Sequence, residues 1–354
     1  MSTIPVAVIG CGTIANSAHI PSYEKDPRAK ITWFCDIIPE RAEAARDAYG
    51  SGKVTTDYRE VLQDPDVKAV SVCTPNNVHA EITIAALEAG KDVLCEKPAA
   101  RTYAEAEQML AAKQRTGRTL NIGVVNRFND AVNQIKQRID AGELGTVHHV
   151  YVSFRAHRSI PGIGGAFTTH AIAGGGALID WGVHYLDIVM YCLGDPEAKT
   201  VSAETFSVLG RDIPNYVYES MWAENTADMN GVYDVDDSIT ALVRTTGPVV
   251  TVMGAWAQNI GVGEAFIDFM GDKAGIRLQY GGGFTVYGTD GDKLTEEVVE
   301  AGTGNMFAAE IASFLDCVES GQENPARMEQ AILTSRMMQA MYDSAAAHRE
   351  VVLD

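Results

Sequence analysis

The first third of the chain alternates short apolar runs with helical patterns, and this alternation constrains the fold more than any other feature of the sequence. The runs are too apolar for strands that keep one face in water, so they predict a parallel sheet with helices on both faces. Gly50, Gly90 and Gly117 follow three of the helical patterns as C-terminal stops. The predicted strands are 5–10, 30–36, 69–74, 92–97 and 119–124, and the predicted helices are 14–24, 39–48, 77–89 and 102–116.

After about residue 122 the sequence becomes rich in alternating, strand-like runs that are separated by turns such as "TTGP" and "YGGGF". This pattern predicts an antiparallel sheet. We therefore expect two domains, 1–122 and 123–354, the second of α/β type. Its predicted strands are 146–157, 199–209, 232–246, 248–258, 264–270, 275–280 and 284–287, and its predicted helices are 129–140, 178–193, 305–319 and 325–347.

Composition excludes several classes of partner. The 354 residues include 28 basic and 47 acidic side chains, a net charge of −19, which disfavours binding to nucleic acid or to anionic membranes. The six cysteines have no CxxC spacing and mostly lie in apolar runs, as expected in a reducing compartment. With neither a basic leader nor an uninterrupted apolar span, the sequence predicts a cytoplasmic protein.

A glycine motif follows the first predicted strand directly. Residues 10–15 read GCGTIA, the G-x-G-x-x-A fingerprint of a Rossmann domain, and they open the first helix. Gly10 permits a tight turn, Gly12 lets the backbone approach a pyrophosphate, and Thr13 and Ile14 lead into a helix whose N-terminus faces the phosphate charge. The alternative is a glycine turn without a ligand, but its position between strand and helix favours a dinucleotide.

Asp36 ends the second predicted strand, about 20 residues after this motif, where a carboxylate accepts hydrogen bonds from the adenosine ribose. Ile37 and Ile38 follow it, so no arginine or serine stands next to it to receive a 2′-phosphate. The sequence therefore favours NAD over NADP, although Arg41 lies one helical turn further on.

The segment CTPNNVHAE, residues 73–81, ends the next predicted strand at the edge where cofactors bind in doubly wound folds. Thr74, Pro75 and Asn76 form a turn there, and together with His79 they are candidate cofactor contacts. Two alternatives stay open: Asn76 or Asn77 is the N-cap of the following helix, or His79 packs in its first turn.

The segment DVLCEKPAA, residues 92–100, is an apolar strand that ends in Glu96 and Lys97. Its polar end reaches the same edge, so Lys97 is predicted to face the nicotinamide end of the cofactor and Glu96 to lie beside it. The alternative is that Glu96 and Lys97 form an ordinary salt bridge at the start of the following loop.

Further along the chain, Asp180 and His184 are four residues apart and share a helix face behind three glycines. Hydride transfer from an alcohol needs a base and a cation, and histidine and lysine supply them. A helix-stabilising contact or half a metal site are the alternatives for the Asp180–His184 pair.

In this order and spacing, GCGTIA, CTPNNVHAE, CEKPAA and GGGALIDWGVHYLDIVMY resemble the Gfo/Idh/MocA family of sugar and inositol dehydrogenases over essentially the whole chain. The resemblance implies an N-terminal Rossmann domain and a C-terminal α/β domain whose large, open, mainly antiparallel sheet mediates homo-oligomer contacts in a dimer or tetramer. It also implies NAD as cofactor and Lys97, Asp180 and His184 as the catalytic set, with the division of labour between Lys97 and His184 open. The Lys97–Pro98 peptide is expected to be cis, as in relatives.

Substrate choice is expected to reside in the second domain. Arg155 and His157 lie two apart on a predicted strand and so share a face, as candidate contacts to sugar hydroxyls or as solvated sheet residues. Tyr216, Tyr218 and Trp222 lie in a predicted insertion, 213–237, and would stack on a sugar or form an oligomer contact. No cluster of His, Cys and Asp has metal-ligand spacing, so we expect no catalytic metal.

The leading functional hypothesis is an NAD-dependent oxidoreductase that acts on a secondary hydroxyl of a sugar, glycoside or inositol. One alternative is an NAD-dependent glycosidase that oxidises its substrate transiently and eliminates the aglycone. The other is a non-catalytic NAD-binding protein, which would have no need of a proton-transfer pair.

Overall fold

The computed structural model describes residues 3–219, 227–300, 302 and 304–353. The chain divides into two compact units, each built from two stretches of sequence. The first unit comprises Met1–Phe128 and Asn305–Ile332, and the second comprises Asn129–Gly304 and Leu333–Asp354.

The first unit contains a six-stranded, wholly parallel sheet with the strand order β3-β2-β1-β4-β5-β6, the order of a dinucleotide-binding Rossmann fold. This confirms the predicted fold. Its strands are β1 Ile4–Ile9, β2 Ala29–Cys35, β3 Lys53–Thr55, β4 Ala69–Val72, β5 Asp92–Glu96 and β6 Leu120–Gly123. Its helices between strands are α1 Ile20–Lys25, which a π-helical turn Ala15–His19 precedes, α2 Pro39–Tyr49, α3 Tyr58–Gln63, α4 His79–Glu88 and α5 Tyr103–Thr116.

Local chemistry sets several helix ends in this unit. The Asp57 side chain accepts a hydrogen bond from the backbone of Arg59 and so begins α3, and Thr102 begins α5 through the backbone N–H of Glu105. Gly50 and Gly117 end α2 and α5 in the left-handed conformation, as their positions in the sequence predict. The helices therefore stop where the chain must turn back to the next strand.

The compact units do not coincide with the predicted continuous domains 1–122 and 123–354. The helix α9, Met306–Ser320, and the start of α10, Met328–Ala347, return to the first unit. Phe314 of α9 is fully buried in the first unit's core, and Ile122 N of β6 donates a 2.9 Å hydrogen bond to Ala326 O. Apolar packing and edge-strand pairing therefore assign this distant segment to the first unit.

The second unit contains a nine-stranded sheet with the order β14-β13-β12-β11-β7-β10-β9-β8-β15. Among the described strands of this sheet only β7 and β10 pair in parallel, so the sheet is mainly antiparallel, as expected. Its strands are β7 Val147–Arg155, β8 Ala198–Phe206, β9 Ser238–Thr245, β10 Val249–Ala255, β11 Glu264–Gly271, β12 Gly275–Gln279, β13 Phe284–Asp290, β14 Lys293–Val299 and β15 Val351–Val352.

One face of this sheet is covered by helices. These are α6 Asp130–Asp140, α8 Val183–Leu193 and the later part of α10, and a short helix α7, His170–Ala173, lies in the loop before α8. Val150, Val152 and Phe154 of β7 point into the resulting core, because alternate residues of a strand face the same side. The odd-numbered residues of the same strand, such as Tyr151, therefore lie on the opposite face.

Five short or polar elements were not predicted from the sequence, namely β3, α3, α7, β14 and β15. All six cysteines are buried and none forms a disulfide. Within residues 3–219, 227–300, 302 and 304–353, no helix is long and apolar enough to cross a membrane.

Candidate active site

The glycine loop lies against the end of β4 in the first unit. Gly10 has a φ of +90°, and a Cβ atom there would come within 2.5 Å of Cys73 O, so only glycine fits the position. A Cβ atom at Gly12 would meet no described atom within 4 Å. The backbone of this loop is therefore open at Gly12 and closely packed at Gly10, as a cradle for a pyrophosphate requires.

Asp36 connects the glycine loop to the end of β2. Its carboxylate accepts hydrogen bonds from Cys11 N at 2.8 Å and from Ile38 N at 2.9 Å. A carboxylate has about four acceptor positions, so capacity for ribose hydroxyls remains. Asp36 thus links the end of β2 to the glycine loop, and Ile37 beside it is exposed.

Thr74 lies where the glycine loop meets the end of β4. Its Oγ1 is buried and has no hydrogen-bond partner among the residues that the structure describes. Buried hydroxyls nearly always have a partner, so a ligand at this edge would satisfy it. Pro75 follows in extended conformation as the N-cap of a 3-10 turn that begins at Asn76. Three observations, at Gly12, Asp36 and Thr74, therefore fit a dinucleotide.

His79 is fully buried and links two turns at this edge. Its Nδ1 lies 2.9 Å from Pro98 O and its Nε2 lies 2.8 Å from Thr74 O. Both neighbours are acceptors, so the ring satisfies both only when both nitrogens carry protons. Burial lowers the pKa of His79, but the neighbouring Cys95 and the two carbonyl groups raise it more, to about 9. Both ring nitrogens are thus used within the protein, which agrees with the packing alternative for His79.

Glu96, at the end of β5, belongs to a buried polar chain that the sequence did not reveal. Its Oε1 lies 2.8 Å from His19 Nε2, and its Oε2 accepts a 3.0 Å hydrogen bond from Lys97 N. The other nitrogen of His19 contacts Ser71 Oγ, which contacts Tyr23 Oη in turn. Burial raises the pKa of Glu96, but His19 and Lys97 lower it more, so the carboxyl pKa lies below its usual value.

Lys97 therefore stands in a turn that is held on both sides. The Glu96 carboxylate fixes its backbone N–H, and His79 holds the carbonyl of Pro98. The Lys97–Pro98 peptide is cis, as expected. The sequence contains only a weak signal for the contacts of His19, namely a histidine in the first helix, a serine inside β4 and a glutamate that ends β5.

Asp180 and His184 lie in the second unit on one continuous helical segment. Asp180 is buried within a π-helical turn, Leu178–Gly182, that leads directly into α8, which carries His184. Turns of this kind occur frequently at functional sites. The His184 ring is partly exposed and its centroid lies 6.4 Å from that of Tyr280. The predicted sharing of one helix by the two residues is therefore observed.

Arg155 and His157 do not share a strand, which corrects the expectation. The strand β7 ends at Arg155, so His157 lies in the following loop. Arg155 Nε donates to Glu264 Oε2 at 3.1 Å, and His157 Nδ1 lies 3.2 Å from Glu219 Oε2. Each side chain therefore faces a carboxylate of the second unit.

The aromatic residues of the predicted insertion are partly described. The rings of Tyr216 and Tyr218 meet edge to face at 6.2 Å, and Ile160 N donates to Tyr216 Oη. Trp222 lies outside the described residues. No group of three His, Cys, Asp or Glu side chains within the described ranges is arranged to hold a metal ion.

The fold and the glycine loop are those of a dinucleotide-binding protein, and comparison with known proteins identifies an oxidoreductase. Residues 4–124 match the profile described as "Oxidoreductase family, NAD-binding Rossmann fold", and residues 132–292 match the GFO/IDH/MocA C-terminal domain. The chain belongs to the Gfo/Idh/MocA oxidoreductase family. The predicted family and the predicted NAD cofactor are thereby confirmed.

Individual relatives and structures extend this similarity. The chain is 30% identical to D-glucoside 3-dehydrogenase of Escherichia coli K12 over 99% of this chain and 98% of the relative. It is 33% identical to levoglucosan dehydrogenase of Pseudarthrobacter phenanthrenivorans over 73% of this chain and 70% of the relative. A solved structure of levoglucosan dehydrogenase in complex with NADH is similar in fold, with a TM-score of 0.86 at 23% identity and full coverage of both chains.

The raised pKa of His79 leads to a pH-dependent prediction. Because its folded-state pKa of about 9 lies above its ordinary value of 6.5, its contacts stabilise the fold fully below about pH 6.5 and are lost as the pH rises through about 9. We expect His79→Gln to lower the melting temperature by several degrees at pH 6 and by much less at pH 9.5, as measured by thermal unfolding. Exposed His348→Gln is the control, and a difference for His79→Gln that is equal at both pH values would contradict a protonated His79.

Proposed function

We propose that this protein transfers a hydride between a secondary hydroxyl of a sugar, glycoside or inositol and NAD. The observation that carries this proposal is the turn at the end of β5. It presents Lys97 at the cofactor edge of an NAD-binding domain, and Glu96 and His79 hold the backbone on both sides of it. A lysine fixed in this way is suited to catalysis rather than to a solvated surface contact.

The residues that would hold the cofactor lie in the first unit. The loop of Gly10, Gly12, Thr13 and Ile14 would bind the pyrophosphate, and Asp36 the adenosine ribose. Thr74, Pro75 and Asn76 would border the nicotinamide side, with Glu96 and Lys97 beyond them, and His79 would support this edge from within. NAD, when bound, supplies the hydride acceptor.

The chemistry of the substrate hydroxyl falls to three side chains. His184 or Lys97 would accept the hydroxyl proton as general base. The Lys97 ammonium, while protonated, would stabilise the negative charge that develops on the substrate oxygen. Asp180 would accept hydrogen bonds from a substrate hydroxyl and orient it. Because Asp180 is buried on the same helical segment as His184, the two would act from one rigid support.

Similarity favours a glycoside among the possible substrates. The relative that matches over nearly the full length is named D-glucoside 3-dehydrogenase, and another is named levoglucosan dehydrogenase. We therefore propose a pyranoside oxidised at a ring hydroxyl. Arg155 remains a proposed substrate contact, because its guanidinium has five N–H groups and Glu264 engages only part of them. His157 also remains a proposed substrate contact.

A substrate panel tests the reaction class. Inositols, free aldoses and alkyl glucosides are incubated with enzyme and NAD, and NADH absorbance is recorded together with aglycone release. We expect NADH to accumulate, most rapidly with a glucoside. Aglycone release without net NADH would indicate an NAD-dependent glycosidase, and tight NAD binding without any turnover would indicate a non-catalytic NAD-binding protein.

Substitution of the proposed catalytic residues gives a second prediction. We expect Lys97→Ala and His184→Ala each to lower kcat by about 100-fold or more, because general acid–base groups contribute roughly 10²–10⁴-fold. NAD affinity, measured by fluorescence titration, should change little in His184→Ala. Lys30→Ala and His148→Ala, at exposed positions, are the controls. Turnover near that of the wild type in both catalytic variants would refute the assignment.

We also propose a homo-oligomer that forms through the outer face of the nine-stranded sheet. This face carries the edge-to-face pair Tyr151 and Phe266, with Met253 exposed nearby on β10. Light scattering is expected to give the mass of a dimer or tetramer, and Met253→Glu is expected to lower it by burying a charge at the contact. A monomeric wild type would refute the proposal.

The cytoplasmic location stays a prediction, which rests on the buried cysteines that form no disulfide.

A further inference from the structure

The helical segment that carries Asp180 and His184 begins against a buried aspartate from a distant part of the chain. Asp236, just before β9, is only 6% exposed. Its Oδ1 accepts a hydrogen bond from Gly176 N at 2.7 Å, and its Oδ2 accepts one from Leu178 N at 3.0 Å. The backbone oxygen of the same residue accepts from Ala177 N at 3.0 Å. One residue thus satisfies three consecutive N–H groups at a helix start, where such groups lack intrahelical partners.

The glycines before this helix are explained by the same contact. A Cβ atom on Gly176 would overlap the backbone oxygen of Asp236, and one on Gly175 would overlap the hydroxyl of Tyr342. The Tyr342 hydroxyl also donates to Asp236 Oδ1 at 2.9 Å. Gly175 and Gly176 therefore allow the helix start to pack closely against Tyr342 and Asp236 of the same chain.

The anchored turn leads directly to the proposed catalytic residues. Asp180 N donates to Gly176 O at 3.0 Å, so the first turn of the segment runs from the anchored residue to Asp180. His184 follows on α8 without a break in the helical backbone. A displacement of the helix start would consequently move Asp180 and His184 together.

We infer that Asp236 is a positioning residue, which fixes the start of the helix that carries Asp180 and His184 and thereby sets the place of both side chains. The expected effect of Asp236 on turnover rests on the proposed function. The effect of Asp236 on the helix start does not depend on any activity and is measured separately.

The neighbouring residue supplies a matched control. Asp237 is 1% exposed, and its Oδ2 accepts three backbone hydrogen bonds, from Val208 at 2.7 Å, Leu209 at 2.6 Å and Gly210 at 3.2 Å. These N–H groups belong to the loop after β8. Asp236→Asn and Asp237→Asn thus each replace a buried carboxyl group by an amide, and only Asp236 contacts the start of the helix that carries the proposed catalytic residues.

The experiment compares the two variants by hydrogen exchange and by kinetics in the full-length protein. Asparagine has one acceptor oxygen, and its amide donor would oppose one of the N–H groups of Gly176 and Leu178. We expect Asp236→Asn to speed amide exchange in peptides covering residues 176–184. We expect Asp237→Asn, whose amide oxygen can still accept all three bonds, to change exchange little in these peptides and in those covering 207–211. We expect Asp236→Asn to lower kcat by about 10- to 100-fold, as small displacements at an active site do. NAD affinity should stay within about twofold.

Each outcome bears on a distinct statement. Unchanged exchange in peptides covering 176–184, or equal losses of kcat in both variants, would overturn the positioning role. Faster exchange there with no turnover of any substrate by the wild type would uphold the anchor and refute the proposed function. Tyr342→Phe, which removes only the hydroxyl that donates to Asp236, serves as a milder variant should Asp236→Asn fold poorly. It is expected to change exchange and kcat in the same direction by a smaller factor.

Discussion

Strands that all run in one direction also end at one edge, and in the first unit this constraint gathers residues that are far apart in sequence. The glycine loop after β1, Asp36 after β2, Thr74 after β4 and Lys97 after β5 all reach the carboxyl edge of the same six-stranded sheet. Pairing between strands therefore brings together most of the residues that we propose as the cofactor site. The remaining requirement is that the turns at this edge keep their shape.

Buried polar side chains meet that requirement. His79 holds the Thr74 and Pro98 carbonyl groups, and Glu96 holds the backbone of Lys97 with His19 behind it. A hydrogen bond that is buried and charged is stronger than one exposed to water. In the second unit the Asp236 carboxylate has a comparable place at a helix start. Both proposed halves of the catalytic set thus rest on buried ionisable groups that need not touch substrate.

Much of the fold could be predicted from the sequence, because hydrophobic periodicity and turn-forming residues are properties of short segments. The apolar runs located β1, β2, β4, β5 and β6 to within about two residues, and GCGTIA with Asp36 identified the cofactor domain. The strands β3 and β14 were missed, since β3 has three residues and β14 is polar and exposed on nearly every position. The partners of His79 and of Asp236 are set by tertiary contacts, for which the local pattern holds no signal. For the same reason, helical periodicity located α9 but not the core that it joins.

The return of residues 305–332 to the first unit has a consequence for the order in which the protein is made. Phe314 of α9 and the Ala326 carbonyl beside β6 complete the core and the sheet edge of a unit whose other residues lie before 129. During synthesis eight of the nine strands of the second unit's sheet, β7 to β14, precede them out of the ribosome. A nascent chain that already holds every residue of the glycine loop and the Lys97 turn therefore still lacks part of the first unit's core. The N-terminal unit is complete only when the chain is nearly finished.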